Sequence, residues 1–421
     1  TPTLAPTRPN PPPQPRRAPL IGVLYAMISD DRAALAFLEP NGGTSADVER
    51  VTALMNRHEI GKNDWTDIWS GIADQTSAAH ATEFADTPDS ATPEAKASAA
   101  LAATVVNTIG ETMNDLSDLS RRRLTNVVSA YPWSVDQAAR TDGASNAPTI
   151  MPAPLDAYGN PVWTYGMSYQ PQYTTQGLAG VIQAISRDAT DFKTVVNSVA
   201  VFEQRRMVSV AAAVDTETDG NGLGPGYIPL HDPSNAIDAN SATAGFFQAA
   251  AQAALEGDTT AIDQRNRTIV DSRITSSCFI PGPGDKTSEL ERAVLAYTQD
   301  RSTTLLKSEA TETCTQNLAS VIGDIDFMRE EAGGAQRAMT VMTIIQLISL
   351  GIIPANQANA VVPGLVDTDG QMDSSKLDEE AFVLLHVRFV THTDNTVNPG
   401  LALSLDDCDK NYNNGYRRGN Q

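Results

Sequence analysis

The most apolar stretch of the chain runs from Gly333 to Pro354 and predicts a helix that is buried on nearly every side. Its polar residues recur at every third position, so on a helix they form one narrow stripe: Arg337, Thr340, Thr343, Gln346 and Ser349. Such a helix must be covered on several sides, by its own domain or by a neighbouring subunit. A membrane span needs about 20 predominantly apolar residues, and this run is shorter and contains an arginine and a glutamine. We therefore predict a buried helix rather than a membrane span.

Helical periodicity recurs along most of the chain and predicts a mainly α fold, a multi-helix globular body with long irregular loops. Besides the apolar run, the pattern predicts helices over residues 20–38, 44–55, 64–73, 93–128 (one long or broken helix), 178–214, 236–255, 287–297 and 318–327. Trp65 and Trp69 fall on the apolar face of their segment and are expected in the core. Residues 208–214 and 381–391 fit either a helix or a short strand, because both are rich in β-branched or aromatic residues.

Proline and glycine clusters divide the chain into six regions. An extended Pro-rich arm and a polar tail, mobile or docked on a neighbour, stand at the two ends. The predicted regions are the arm 1–19, a helical region 20–141, an irregular loop 142–177, a helical region 178–280 with an Asp/Gly loop, a bundle region 281–405 around 334–350, and the tail 406–421.

Two of these regions have the residue types expected of an interface. The arm contains arginines and no acid, and the long loop is rich in aromatics with polar tips, which favour contacts between proteins. The candidate interface residues are Arg8, Arg16, Arg17, Tyr158, Trp163, Tyr165, Tyr169 and Tyr173. Two alternatives for the loop stay open, packing within the chain and a ligand pocket, and the arm could equally be a linker.

The charge balance excludes one class of partner for the body of the protein. The chain has 51 acidic and 30 basic residues and a net charge of −21, so its surface repels phosphate. Only the basic arm could make weak, non-specific contact with nucleic acid. The cluster Arg121–Arg123 cannot form one flat basic face on a helix, and we assign it to a helix C-terminus, where cations are favoured.

Three cysteines are too few and too unevenly spaced for a disulfide scaffold or a paired zinc motif. In a reducing compartment Cys278, Cys314 and Cys408 would be free thiols. In a periplasmic protein Cys278 and Cys314 could form one bridge, leaving the third thiol over.

The candidate metal and catalytic motifs are all incomplete, and we expect no cofactor. The segment Asp215–Gly226 begins like a calcium-binding EF-hand loop, but its twelfth position is glycine where a bidentate glutamate is needed. Asp367–Gly370 departs further from that pattern. His386 and His392 would share one face of a strand, but Arg388 lies between them and would repel a cation. No local hydrolase, metalloprotease, nucleotide-binding or phosphoryl-transfer motif is present, so we do not expect an enzyme.

These features lead to three functional hypotheses. The first is a self-assembling capsid subunit of a small icosahedral virus, located in the virion and host cytoplasm. Its supports are the basic arm, the aromatic loop, the helix that is apolar on nearly every side and the acidic body, and the general character of the chain resembles the helical capsid proteins of small double-stranded RNA viruses such as the partitiviruses. The second is a soluble periplasmic structural component of a bacterial secretion or conjugation machine. The third is an enzyme whose site is assembled from residues distant in sequence.

Overall fold

In a computed structural model the chain is almost entirely α-helical, as the periodicity predicts. The structure describes residues 19–57, 62–83, 92–112, 115–141, 149–151, 168–216, 233–278, 309–323, 333–391 and 410–420. The helices are α1 Pro19–Met27, α2 Asp31–Leu38, α3 Ser45–Met55, α4 Lys62–His80, α5 Pro93–Thr112, α6 Asp118–Ala130, α7 Pro132–Arg140, α8 Thr175–Ser186, α9 Ala189–Thr216, α10 Pro233–Ala254, α11 Thr259–Ser277, α12 Glu309–Gly323, α13 Gly333–Ser349, α14 Ala355–Val361, α15 Glu379–His386 and α16, residues 410–419. Two strands, β1 Thr149–Met151 and β2 Ser168–Gln170, form an antiparallel pair.

Three of the predicted helices are each divided in two by a residue that caps a helix start. Asp30 begins α2 by accepting a hydrogen bond from the amide of Ala33, and Ser117 begins α6 in the same way. The Asp188 carboxylate accepts the amides of Thr190 and Asp191 at the start of α9. These side chains compete with the helical hydrogen bonds, which apolar periodicity alone does not register.

Four described helices, α7, α11, α14 and α16, lie where the sequence predicted none. Pro132 ends α6 and also occupies the first turn of α7, the one place in a helix where its missing amide costs little. The sequence of α11 is too polar to show an apolar face, because polar side chains take part in its buried side: Arg265, Asn266 and Arg273 are all buried. Arg121 lies at the start of α6, not at a C-terminus; it pairs with Asp118 and Asp191, both at 2.8 Å, which corrects our assignment of the cluster.

Helix α13 is buried along its length by the chain itself. It packs against α10, α11 and α15. Four of the five residues of its polar stripe are buried and only Arg337 is exposed; Thr343 and Ser349 donate their hydroxyls to carbonyl oxygens one turn earlier, at 3.0 and 2.9 Å. The cover that this helix needs is therefore supplied within one chain.

One continuous cluster of buried apolar side chains extends from Ile21 to Tyr412, so the five predicted regions after the arm all contribute to one core; the arm lies outside the described residues. Helices α4, α5 and α6 pack together at one end, α10, α11 and α13 at the other, and α8 and α9 contact both groups. Among the described residues, no helix combines the length and apolar character needed to cross a bilayer.

Two segments that fit either a helix or a short strand in the sequence are both helical in the structure. Residues 381–391 are helical, first as the end of α15 and then as a π-helical turn over Val387–Thr391, so the strand alternative is wrong. Residues 208–214 are also helical, within α9. Residues 410–419 of the polar tail form α16, which packs on α10 of the same chain.

Candidate functional site

The predicted interface residues are only partly placed by the structure. Arg8, Arg16, Arg17, Tyr158, Trp163 and Tyr165 lie outside the described residues. Tyr169 is half-buried in β2, paired with Ile150 of β1. Tyr173 is 2 % exposed and belongs to the core, where burial raises the pKa of its phenol well above the ordinary value. Tyr173 is therefore unavailable to a partner in this fold, which corrects its assignment to an interface.

The long aromatic loop has a rigid base. The β1–β2 pair brings its two ends together on either side of residues 152–167. Asn107 of α5 fixes the chain just after β2 with two hydrogen bonds, donating to the Gln172 carbonyl at 3.2 Å and accepting the Thr174 amide at 2.8 Å. A loop held on such a scaffold is a common position for binding residues.

Close helix contact beneath this base adds to its rigidity. Helices α5 and α8 approach so closely at Gly110 and Gly177 that a Cβ added to Gly110 would lie 1.7 Å from the Gly177 carbonyl oxygen. Only glycine permits backbones to approach to this distance. The two helices therefore fix the end of β2 relative to the core.

A buried network of charges links α7, α9 and α10. The Asp136 carboxylate is fully buried and accepts hydrogen bonds from Arg140 at 2.9 Å, from Arg206 at 2.9 and 3.1 Å, and from the Thr243 hydroxyl at 3.1 Å. Burial alone would raise the pKa of Asp136, but the charges of the two arginines lower it to about 2. Asp136 is therefore ionised, and its three partner residues are all part of the same chain.

A second buried ion pair lies beside this network. Arg273 of α11 contacts both carboxylate oxygens of Glu203 of α9, at 2.7 and 2.8 Å, and both side chains are almost completely buried. Burial raises the pKa of Glu203, and the charge of Arg273 opposes that rise. At this depth the pair joins helices; it is not placed to meet a substrate. The partners are 70 residues apart, so no local sequence signal could have revealed them.

One buried acid has its pKa shifted toward neutrality. Glu39, at the end of α2, is 3 % exposed, and neither of its carboxylate oxygens has a hydrogen-bond partner among the described residues. Burial, followed by the nearby Asp47 carboxylate, raises the pKa of Glu39 to about 8, although Arg50 opposes this. For Asp47, burial is outweighed by hydrogen bonds from Asn41 and Thr44, which lower its pKa. Glu39 is thus mostly protonated at neutral pH, and the sequence gives no sign of it.

The two bridging cysteines of the periplasmic alternative meet in the structure. Cys278, just after α11, and Cys314, in α12, form a disulfide with a Cα–Cα distance of 5.6 Å. Both residues are completely buried, beside Leu318 and Ile322 of α12. The bond ties α12 to α11, and of the two alternatives left open for the cysteines the structure has the bridged one.

The candidate metal motifs gain no ligand set from the fold. Among the described residues, no three His, Cys, Asp or Glu side chains could hold an ion together. His386 is helical and His392 lies outside the described part, so the shared strand face does not form. Asp215 is in α9, and residues 217–226 also lie outside that part. Asp367 shapes a turn, accepting the amides of Asp369 and Gln371 at 2.9 and 2.7 Å.

Comparison with known proteins gives a family without an assigned activity. A model described as "Family of unknown function (DUF6571)" matches residues 13–421. No curated protein and no solved structure matches the chain.

Proposed function

The chain belongs to the DUF6571 family, and we propose that it is a structural or interaction protein of an oxidising compartment such as the bacterial periplasm. It corresponds to the second hypothesis drawn from the sequence, a structural component of a larger machine. The proposal assigns no reaction to the protein. Its partners are other proteins, met through surfaces that the rigid helical body holds in place.

The observation that carries the proposal is the buried Cys278–Cys314 disulfide. Disulfides persist in oxidising compartments and are rare in the cytosol, where thiols are kept reduced. Both sulfurs lie in the core rather than at the surface, which is typical of a bond that stabilises a fold rather than one that is exchanged. The bond therefore supports a protein that folds and works outside a reducing environment.

The base of the aromatic loop supports the interaction part of the proposal. The β1–β2 pair and the Asn107 hydrogen bonds hold both ends of the loop against α5 and α8. An acidic body with a net charge of −21 would favour partners that are neutral or basic at the contact.

The capsid hypothesis is the second candidate, and the acidic charge of the chain is what favours it, because a shell must enclose nucleic acid without adhering to it. The apolar helix no longer supports this hypothesis, because α13 is covered by its own chain. Native mass measurement tests it directly. Closed particles of many copies would support a shell, whereas monomers or small oligomers at all concentrations would rule it out.

Counting free thiols tests the preferred proposal. Cells that make the protein naturally are quenched in acid, and the denatured, unreduced protein is alkylated and its mass measured. We expect one alkylated thiol, at Cys408, and three after reduction. Three alkylated thiols before reduction would overturn the assignment to an oxidising compartment.

A further inference from the structure

The C-terminal helix α16 fits a groove on α10 at backbone-to-backbone distance. A Cβ added to Gly415 would lie 1.7 Å from the Ala242 carbonyl oxygen, and one added to Gly419 would lie 2.1 Å from that of Phe246. The fit is reciprocal, because a Cβ on Gly245 of α10 would lie 2.0 Å from the carbonyl oxygen of Tyr412. We call this surface of α10 the α10 groove; it is formed by Ala242, Gly245, Phe246, Gln248, Ala249 and Gln252.

Two tyrosines add directional contacts to this steric fit. The Tyr412 hydroxyl donates to Gln248 deep in the groove, and the Tyr416 hydroxyl donates to Gln252 at 2.5 Å nearer its edge. Burial raises the pKa of both phenols, so each stays a donor at neutral pH. The groove therefore contacts the tyrosines and glycines of the pattern Tyr-x-x-Gly-Tyr-x-x-Gly in residues 412–419, which lie on one face of the helix.

Helix α16 depends on the groove for its own stability. It has only ten residues, and helices shorter than about 12–15 residues are marginal in water. It also contains two glycines, the weakest helix formers after proline. The segment therefore folds as it docks, and groove and helix behave as receptor and ligand joined in one chain.

We propose that the α10 groove also accepts the α16 helix of a second copy of this chain, so that copies associate by exchanging their C-terminal helices. Every contact described above can form identically between copies, because it involves only α10 and α16. The 18 residues 392–409 that precede α16 have a maximum extended length of about 60 Å, roughly twice the length of α10. The inference deepens the proposed function by naming a second copy as one of its protein partners.

Two complementary variants of the full chain test the exchange. Gly415→Leu blocks the helix and leaves the groove intact, while Gly245→Leu blocks the groove and leaves the helix intact. Leucine favours helix more than glycine does, so any loss of docking reflects the clash alone. The three atoms nearest to a Cβ added at Gly245 belong to residues 412 and 416, so the substitution clashes first with α16.

Light scattering after size-exclusion chromatography supplies the readout. We expect each variant alone to have the mass of one chain, and an equimolar mixture to form a complex with about twice that mass. The matched control replaces the exposed Asn413 on the outer face of α16 by leucine. This chain keeps its own α16 in its own groove, so a mixture with Gly245→Leu should form less complex than the complementary pair does. Two unmixed monomer peaks from the complementary pair, at every concentration up to the solubility limit, would overturn the proposal.

A peptide of residues 406–421 provides a second test that needs only one variant to fold. With a fluorescent label, it should bind the Gly415→Leu chain saturably, and the same peptide with Gly415→Leu should not. Absence of binding would overturn the proposed groove, and binding without a complex between chains would overturn the exchange. Both measurements use Cys408→Ala versions of the chain and the peptide, so that no disulfide between molecules can imitate binding, and their failure is distinct from failure of the proposed compartment.

Discussion

Removal of the Cys278–Cys314 bond is the perturbation whose magnitude follows most directly from the structure. The bridged residues are 36 positions apart. In the chain-entropy description, a cross-link that closes a loop of this length stabilises the folded state by about 4 kcal/mol, because it restricts the unfolded chain. Total stabilities of folded proteins are typically about 5–15 kcal/mol, so this loss should be readily measured.

The variant is the double substitution Cys278→Ala and Cys314→Ala, which avoids placing a hydroxyl in the core. Both chains are produced under oxidising conditions, and urea unfolding is followed by circular dichroism. We expect the free energy of unfolding to fall by about 4 kcal/mol, with an added loss from the smaller side chains. Cys408→Ala, which leaves the bond in place, is the control and should differ little from the wild type.

Two results would refute this reasoning. If the double variant unfolded within about 1 kcal/mol of the wild type, the bond would not restrict the unfolded chain as the loop length requires. If the wild type showed three free thiols before reduction, the bond would not form at all. Loss of only α12, detected by hydrogen exchange, would instead mean that this helix opens separately from the rest of the fold.

The remaining predictions concern the buried charges and the close helix contact. Asp136→Asn removes the buried charge that the partly buried Arg140 and Arg206 share and should lower the free energy of urea unfolding by about 3–5 kcal/mol. The exposed Asp118→Asn should change it by less than about 0.5 kcal/mol, and equal losses would contradict the role of the network. Folding disfavours ionised Glu39, so the contribution of Glu39 to stability is unchanged below pH 4.5 and becomes increasingly unfavourable as pH rises from 4.5 toward 8. Measured by urea unfolding, the advantage of Glu39→Gln over the wild type should therefore grow by about 3 kcal/mol between pH 4 and pH 7, and a constant difference would show that Glu39 is not shifted. Gly110→Ala should strongly lower the melting temperature, because the added Cβ would overlap the backbone of α8. In the control Gly22→Ala the added Cβ has no atom within 4 Å, and the variant should be more stable than the wild type by up to about 1 kcal/mol. Similar melting temperatures for the two variants would disprove the close contact.

The sequence by itself determined the fold class and much of the core. Apolar periodicity identified α13 as a helix buried on several sides and placed Trp65 and Trp69 inside, because burial of a helix face depends mainly on local spacing. The same local reasoning could not locate the divisions at Asp30 and Ser117, since a cap depends on one side chain competing with the helix.

Only the tertiary structure decided which surfaces are covered and by what. The sequence could not assign the cover of α13 to its own chain, because a helix face gives no information about which molecule packs against it. It also could not join Asp136 to Arg206, 70 residues away, or turn the polar end of the chain into a docked helix. Those contacts depend on distances in space. Local sequence does not predict a helix in a short tail with two glycines, because that helix is stable only when it packs in a matching groove.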